Sequence, residues 1–160
     1  MKGFIQFGYK VMLGSRSPDK LKQWQSEAGA GSSIGTFEEA ARFGNLLVLA
    51  VKGDSAHTVL DMANAANLKD KLILETTNTI APEPPIDGVL KFTTSLRHSL
   101  MESLQDLFPQ ASFVKAFSSV GNARMVNISL LKENLPCLFV AMTMEQKKKL
   151  HGYYTNLVGK

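Results

Sequence analysis

The chain has 160 residues, with 18 lysines and arginines against 14 aspartates and glutamates, so its formal net charge is +4. At 44% hydrophobic and 20% charged residues it is one domain's worth of chain able to bury a core, which excludes disordered, collagen-like and low-complexity classes. The one cysteine, Cys137, rules out an internal disulfide and a Cys-x-x-Cys metal module, and no apolar run approaches the roughly 20 residues that span a bilayer. Gly8 and the polar sequence after it leave no core for an export signal, so the expectation is a cytoplasmic protein. The densest basic run, Lys147-Lys148-Lys149, reads as a solvated helix face, and neither nucleic acid nor membrane is expected as a partner.

Tyr9 to Leu13 reads as a strand that stops at Gly14-Ser15-Arg16-Ser17-Pro18, and a helix is predicted from about Pro18 to Ala28. A short strand fits Ser32 to Ile34. Thr36 and Glu39 then form a capping box that opens a helix ending near Gly44. The run Leu46 to Val51 is unbroken and apolar, as in a parallel strand covered on both faces, and Lys71 to Glu75 is a second strand of that type. Between them Gly53-Asp54-Ser55 caps a helix predicted to reach Ala66. The stretch Ile80 to Val89, with Pro82, Pro84, Pro85 and Gly88, is expected to be irregular. Apolar positions at Leu96, Leu100, Leu104 and Leu107 predict an amphipathic helix over Ser95 to Phe108. A strand at Phe113 to Phe117, a helix around Ala123 to Leu131, a strand at Leu138 to Ala141 and a helix from Met144 to about Val158 complete the alternation. Strand and helix in alternation predict a doubly wound, mainly parallel α/β fold.

In such sheets ligands bind beyond the carboxyl ends of the strands. At the first of these ends, Ser15 and Arg16 offer a hydroxyl and a guanidinium with no acidic residue beside them. That set favours the 2′-phosphate of NADP over the bare 2′-hydroxyl of NAD, because a guanidinium gives a charge-assisted contact where a carboxylate would repel. The same Ser-Arg-Ser-Pro also serves as a plain helix-start signal, and spacing does not separate the two readings. His57 and His98 read as surface or packed histidines, no His, Cys and carboxylate cluster has metal spacing, and Ser118-Ser119 lacks a hydrolase elbow. Lys115 at a strand end is a basic group to follow, with an ion pair at the sheet rim as its plain alternative.

Gly8-Tyr9-Lys10-Val11, Gly14-Ser15-Arg16-Ser17-Pro18-Asp19-Lys20, Leu46 to Val51, Thr76-Thr77-Asn78 and Val114-Lys115-Ala116-Phe117 with Val120-Gly121 together resemble the NADP-dependent dinucleotide-binding oxidoreductases. That family includes the NADP oxidoreductases of the coenzyme F420-dependent type and is similar to the cytoplasmic reductase domain of the STEAP metalloreductases. The resemblance implies a Rossmann-like fold over a single domain, residues 1–160. It also implies NADP as cofactor, with a flavin or deazaflavin as the small redox partner, and homodimers. Ser15 and Arg16 match its 2′-phosphate contacts, with Lys20 adding charge. Ala50 and Val51 match the strand end along the cofactor, Thr77 and Asn78 the loop by the nicotinamide ribose, and Lys115, Ala116 and Phe117 the strand end by the nicotinamide. Ser118 stands where the family has Asn, and no catalytic residue is implied, since the cofactor carries the hydride chemistry.

One departure bears on everything else. Family members begin with a strand and a Gly-x-Gly-x-x-Gly turn ahead of the element matched by Gly8 to Val11, and only seven residues precede Gly8 here. The expectation is a domain incomplete at both ends, lacking that first strand and its pyrophosphate cradle. The missing strand would be central, so Val11 to Leu13 and Leu46 to Val51 would face an empty lane unless they close up or another chain fills it. An alternative function follows: a non-catalytic Rossmann-like module that serves structure or partner binding.

Overall fold

The computed structural model describes residues 2–95 and 97–118 and the backbone of Val140 and Ala141. Leu96, the helix expected at 123–131 and the one expected from Met144 lie outside the described residues. In chain order the elements are α1 (Lys2–Gln6), β1 (Val11–Gly14), a 3-10 turn (Pro18–Leu21), α2 (Lys22–Ala28), β2 (Ser32–Gly35), α3 (Phe37–Phe43) and β3 (Leu46–Leu49). They continue with a 3-10 turn (Gly53–Ser55), α4 (Ala56–Ala63), α5 (Ala65–Leu68), β4 (Leu72–Glu75), α6 (Leu100–Leu107), β5 (Ser112–Lys115) and β6 (Val140–Ala141).

Two capping boxes set helix starts. Thr36 Oγ1 accepts the Glu39 N–H at 3.1 Å while Glu39 Oε2 accepts the Thr36 N–H at 2.7 Å. Ser99 and Glu102 repeat the arrangement at α6. The second box corrects the sequence reading, because the predicted helix from Ser95 begins at Leu100: the Ser99 cap stops it from extending backward, and Ser95 and His98 form an antiparallel bridge instead. The helix predicted to run from Ser55 to Ala66 is interrupted at Asn64, which takes a left-handed φ of 69° and accepts the Ala66 N–H on its side chain, so that α5 starts afresh.

The described strands form two sheets. β1 pairs with β2 in parallel, and β3, β4, β5 and β6 lie side by side, with β6 antiparallel to β5. β4 is buried along its whole length because it has neighbours on both edges and both faces. On one face Leu49, Ile73 and Phe113 pack with Leu60 of α4 and Leu104 of α6; on the other, Leu72, Leu74 and Val114 pack with Leu46 and Val48. Successive strand residues therefore alternate between two apolar layers, which is why the strand sequences carry no polar alternation.

β3 departs from the expectation of a fully covered strand. Leu46, Leu47 and Val48 are only partly buried, and the strand ends at Leu49 rather than Val51. The reason is positional: β1 and β3 do not pair, and an apolar cleft of about 860 Å³ lies between them. α3 bridges the gap, packing on β1 and on α4. Its approach to β1 is close enough that a Cβ at Gly14 would sit 3.0 Å from Ala40 Cβ. From Thr79 the chain makes an excursion held by bridges between Ile80 and Phe92 and between Ile86 and Val89, irregular as its prolines require.

Thr36→Ala removes one half of the α3 capping box and is expected to lower stability by about 1 kcal/mol, read as a shift in urea midpoint at constant slope. The other half is set by charge: the Thr36 backbone N–H, then its hydroxyl, hold the Glu39 carboxyl below its usual range. A depressed carboxylate stabilises above the glutamate value of 4.5 and loses that contribution as pH falls through its folded value. Glu39→Gln is therefore expected to be less stable than the parent at pH 7 and to converge with it in acid, in midpoints measured from pH 7 to pH 3.

Candidate functional site

The carboxyl ends of β1, β3, β4 and β5, with the turns that follow them, carry the residues matched to a cofactor from sequence. At the first end, Ser15 Oγ accepts the Ser17 N–H at 3.0 Å, which leaves the hydroxyl hydrogen of Ser15 to be donated elsewhere. Arg16 and Lys20 are exposed, and neither side chain has a partner among the described residues. The one nearby carboxylate, Asp19, is 2.7 Å from Lys22, whose hydrogen bond and charge lower its pKa. A guanidinium and an ammonium thus lie next in sequence to a hydroxyl whose hydrogen is uncommitted among the described residues, and the nearby acid, Asp19, is paired with Lys22 at the surface.

The second group surrounds a pocket of about 590 Å³ lined by residues 50–54, 76–78 and 80–82. Ala50, Val51, Thr77 and Asn78, inferred separately from sequence, meet here. Gly53 is what lets the two strand-end loops touch: a Cβ at that position would overlap the carbonyl of Asn78. Asn78 is exposed, and its side chain has no partner among the described residues. Thr77 is turned the other way, buried, with its N–H and hydroxyl both donated to Glu75 Oε1.

Glu75 is the group that sequence reasoning missed. It ends β4 with 0% exposure, directly across the parallel register from Lys115 on β5. Lys115 Nζ lies 3.1 Å from Oε1, 2.9 Å from Oε2, and donates as well to the Thr77 carbonyl. The Oε2 contact lacks hydrogen-bond alignment, so that oxygen relies on the charge of Lys115 for its compensation. The available signal was a carboxylate closing the apolar run Leu72-Ile73-Leu74 and a lysine closing Phe113-Val114, since cross-strand neighbours of opposite charge stabilise a sheet. Lys115 is thus the rim ion pair of the plain alternative, and its head is committed to the loop that presents Asn78.

Beyond Lys115, Ala116 is buried and donates its N–H to the Glu75 carbonyl at 3.0 Å. Phe117 adopts a φ of 63°, a left-handed conformation that is strained for a bulky side chain and is concentrated where backbone geometry serves a site. Lys115 to Phe117 do not line the 590 Å³ pocket, and Ser15, Arg16 and Lys20 line neither it nor the larger cleft. Ala50 and Val51 line both. His57 packs its ring nitrogen 3.1 Å from Ser103 Oγ between α4 and α6, away from these strand ends. No group of three or more His, Cys, Asp or Glu that could hold a metal occurs among the described residues, and no helix there is long and apolar enough to cross a membrane.

Comparison with known proteins bears on the same region. Residues 1–79 match the family of NADP oxidoreductases, coenzyme F420-dependent, so the resemblance seen in the sequence holds over the segment that carries Ser15 through Asn78. Among solved structures, the chain is similar to a candidate F420-dependent NADP-reductase from Arthrobacter sp. FB24, at 22% identity and a TM-score of 0.85 over 98% of this chain and 74% of that one. It is also similar to a hypothetical protein from Sinorhizobium meliloti, at 16% identity and a TM-score of 0.71 over 98% of this chain and 73% of that one. These matches establish a Rossmann-like α/β fold. No curated protein matches in sequence.

Lys115→Met leaves a fully buried carboxylate without its counter-charge and is expected to cost about 2 kcal/mol, short of the loss for a wholly buried pair because Lys115 is 27% exposed. Adding Glu75→Gln should restore part of that loss. Urea denaturation of the two single variants and the double variant checks it; a double variant no more stable than Lys115→Met would show that the carboxylate is not what suffers.

Proposed function

We propose that the chain is an NADP(H)-binding oxidoreductase that transfers hydride between the nicotinamide and a small redox partner such as a flavin or deazaflavin. The observation that carries this reading is the Arg16 guanidinium, unpaired among the described residues, next to the Ser15 hydroxyl and Lys20, at a strand end whose nearby carboxylate, Asp19, pairs with Lys22. That donor set fits a dianionic 2′-phosphate and is poorly matched to a ribose diol, which asks for an acceptor. The family match over residues 1–79 supports the same assignment.

When bound, the nicotinamide would supply the hydride, and the chain's own residues would hold and orient it. Arg16 and Lys20 would neutralise the 2′-phosphate while Ser15 donates to one of its oxygens. Ala50 and Val51 form an apolar wall that admits a flat ring, and Asn78 offers an amide donor and acceptor at the pocket rim. Glu75 and Lys115 fix the backbone of 76–78 from beneath and touch no ligand. Among the described residues no glycine-rich turn opens a helix toward the cleft, so the fit extends to the two ends of a dinucleotide and not to its pyrophosphate. A second reading is a non-catalytic Rossmann-like module that serves structure or partner binding.

Titration of the purified chain with NADPH and NADH by calorimetry separates the two. Selective NADPH binding is expected, and Arg16→Ala should weaken it by roughly 10- to 100-fold, the equivalent of one charged hydrogen bond, with NADH affinity unchanged. A folded chain that binds neither nucleotide would overturn the oxidoreductase reading and leave the binding module.

A further inference from the structure

Apart from any cofactor, we infer that the hairpin arm over residues 80–92 carries a dimerisation edge at residues 89–93, which pairs antiparallel with the same segment of a second copy of the chain. The arm stands out by what it leaves uncovered. Of the ten large hydrophobic residues that are exposed among the described residues, five lie in it, with Val89 68%, Phe92 61% and Ile86 60% exposed. Asp87 and Gly88, with φ of 51° and 78°, make the two-residue turn that joins its strands. A lone pair of strands is marginally stable in water, and a third strand or a packed face is what ordinarily completes it.

Main-chain hydrogen bonds decide which edge of the arm is open. Ala81 donates its N–H to the Lys91 carbonyl, Thr93 donates to Thr79, and Ile86 and Val89 exchange both bonds. Residues 89, 91 and 93 therefore turn their main chain inward, and Leu90 and Phe92, which alternate with them, turn theirs outward. Neither has a main-chain partner among the described residues. The opposite edge is closed to addition, because Pro82, Pro84 and Pro85 carry no N–H. A hairpin guarded on one edge and left bare and apolar on the other is directed at one kind of occupant, an added strand.

A second copy supplies that strand, because the edge complements itself. Antiparallel pairing about a two-fold axis sets each residue against the same segment of the other copy. With Leu90 opposite the second copy's Leu90, the two exchange their outward N–H and C=O groups. Phe92 then falls against the second copy's Gly88, which has no side chain to meet it, and Lys91 opposite its Val89, with the oppositely charged Asp87 two residues along. Slipped by two residues, Lys91 would stand directly opposite the second copy's Lys91, which like charges disfavour. Charge thus chooses the register, and the two hairpins join as one four-stranded sheet.

The test uses the purified chain and two variants, sized by sedimentation velocity over a concentration series, with amide hydrogen exchange followed at Leu90 and Phe92. A monomer–dimer equilibrium is expected, with exchange at those two amides slowed about tenfold or more as the dimer fills. Leu90→Lys places charge at the two-fold axis and should weaken the dimer by about tenfold or more, the equivalent of one such contact, with the melting temperature of the dilute protein unchanged. Glu83→Lys, on the proline-guarded edge, should leave the equilibrium where it is. A chain that stays monomeric with both amides exchanging freely would overturn the proposal and leave the edge to a strand of another protein. So would a dimer that leaves those amides unprotected or that Leu90→Lys does not weaken, since the copies would then meet elsewhere.

Discussion

A carboxylate at the end of the most deeply buried strand has to be compensated, and the geometry of the candidate site descends from how that is done. Glu75 has no exposure to water, so the cost of taking its charge out of solvent is met by one ammonium and two Thr77 donors. Each has a consequence. Lys115 is drawn down into the sheet rim and away from any ligand. Thr77 is turned inward, which sends Asn78 outward at the next position. The carbonyl of Thr77 completes the lysine's contacts, so the loop between β4 and the excursion at Ile80 is fastened from below. Gly53 then allows the β3 loop to meet it. A pocket whose walls are backbone held by a buried ion pair is pre-organised, because side-chain freedom has been spent in folding rather than at binding.

The other constraint is the interruption of the sheet. Where strands pair, main-chain hydrogen bonds carry cooperativity across the sheet; between β1 and β3 that continuity is replaced by side-chain packing through α3. Gly14 comes close against Ala40 and Phe37 within that contact. Packing of this kind is weaker per residue than a shared ladder, so β1 and β2 are expected to open at lower free energy than the sheet built around β4. The partial exposure of Leu46 to Val48 belongs to the same cause: their sequence is suited to an interior lane, and their position is an edge.

Much of this was legible in the sequence. Local signals with one-dimensional grammar were read well: the Thr36 and Glu39 box, the short strand near Ser32, the buried strand ending at Glu75. What escaped was set by pairing at a distance. Ser99 and Glu102 carry the same capping grammar, yet the hydrophobic spacing that includes Leu96 pointed to an earlier start, and periodicity alone cannot say where a helix is cut. Asn64 looks like any helix residue until its left-handed turn is seen. Glu75 and Lys115 are forty residues apart, and only the parallel register of β4 and β5 makes them partners. The candidate site was legible as a set of strand ends, because that follows from fold class; which side chains face a ligand and which face inward did not follow, as the opposite fates of Thr77 and Asn78 show.

The two ends of the candidate cofactor site sit on different sheets, Ser15, Arg16 and Lys20 with β1, and Thr77 and Asn78 with β4. On the proposed reading a dinucleotide has to bridge them, so its affinity depends on how firmly the two sheets are held at one separation. Among the described residues that separation is held by α3, which packs on β1 on one side and on α4 on the other, so the two ends are positioned by helix packing rather than by a shared ladder.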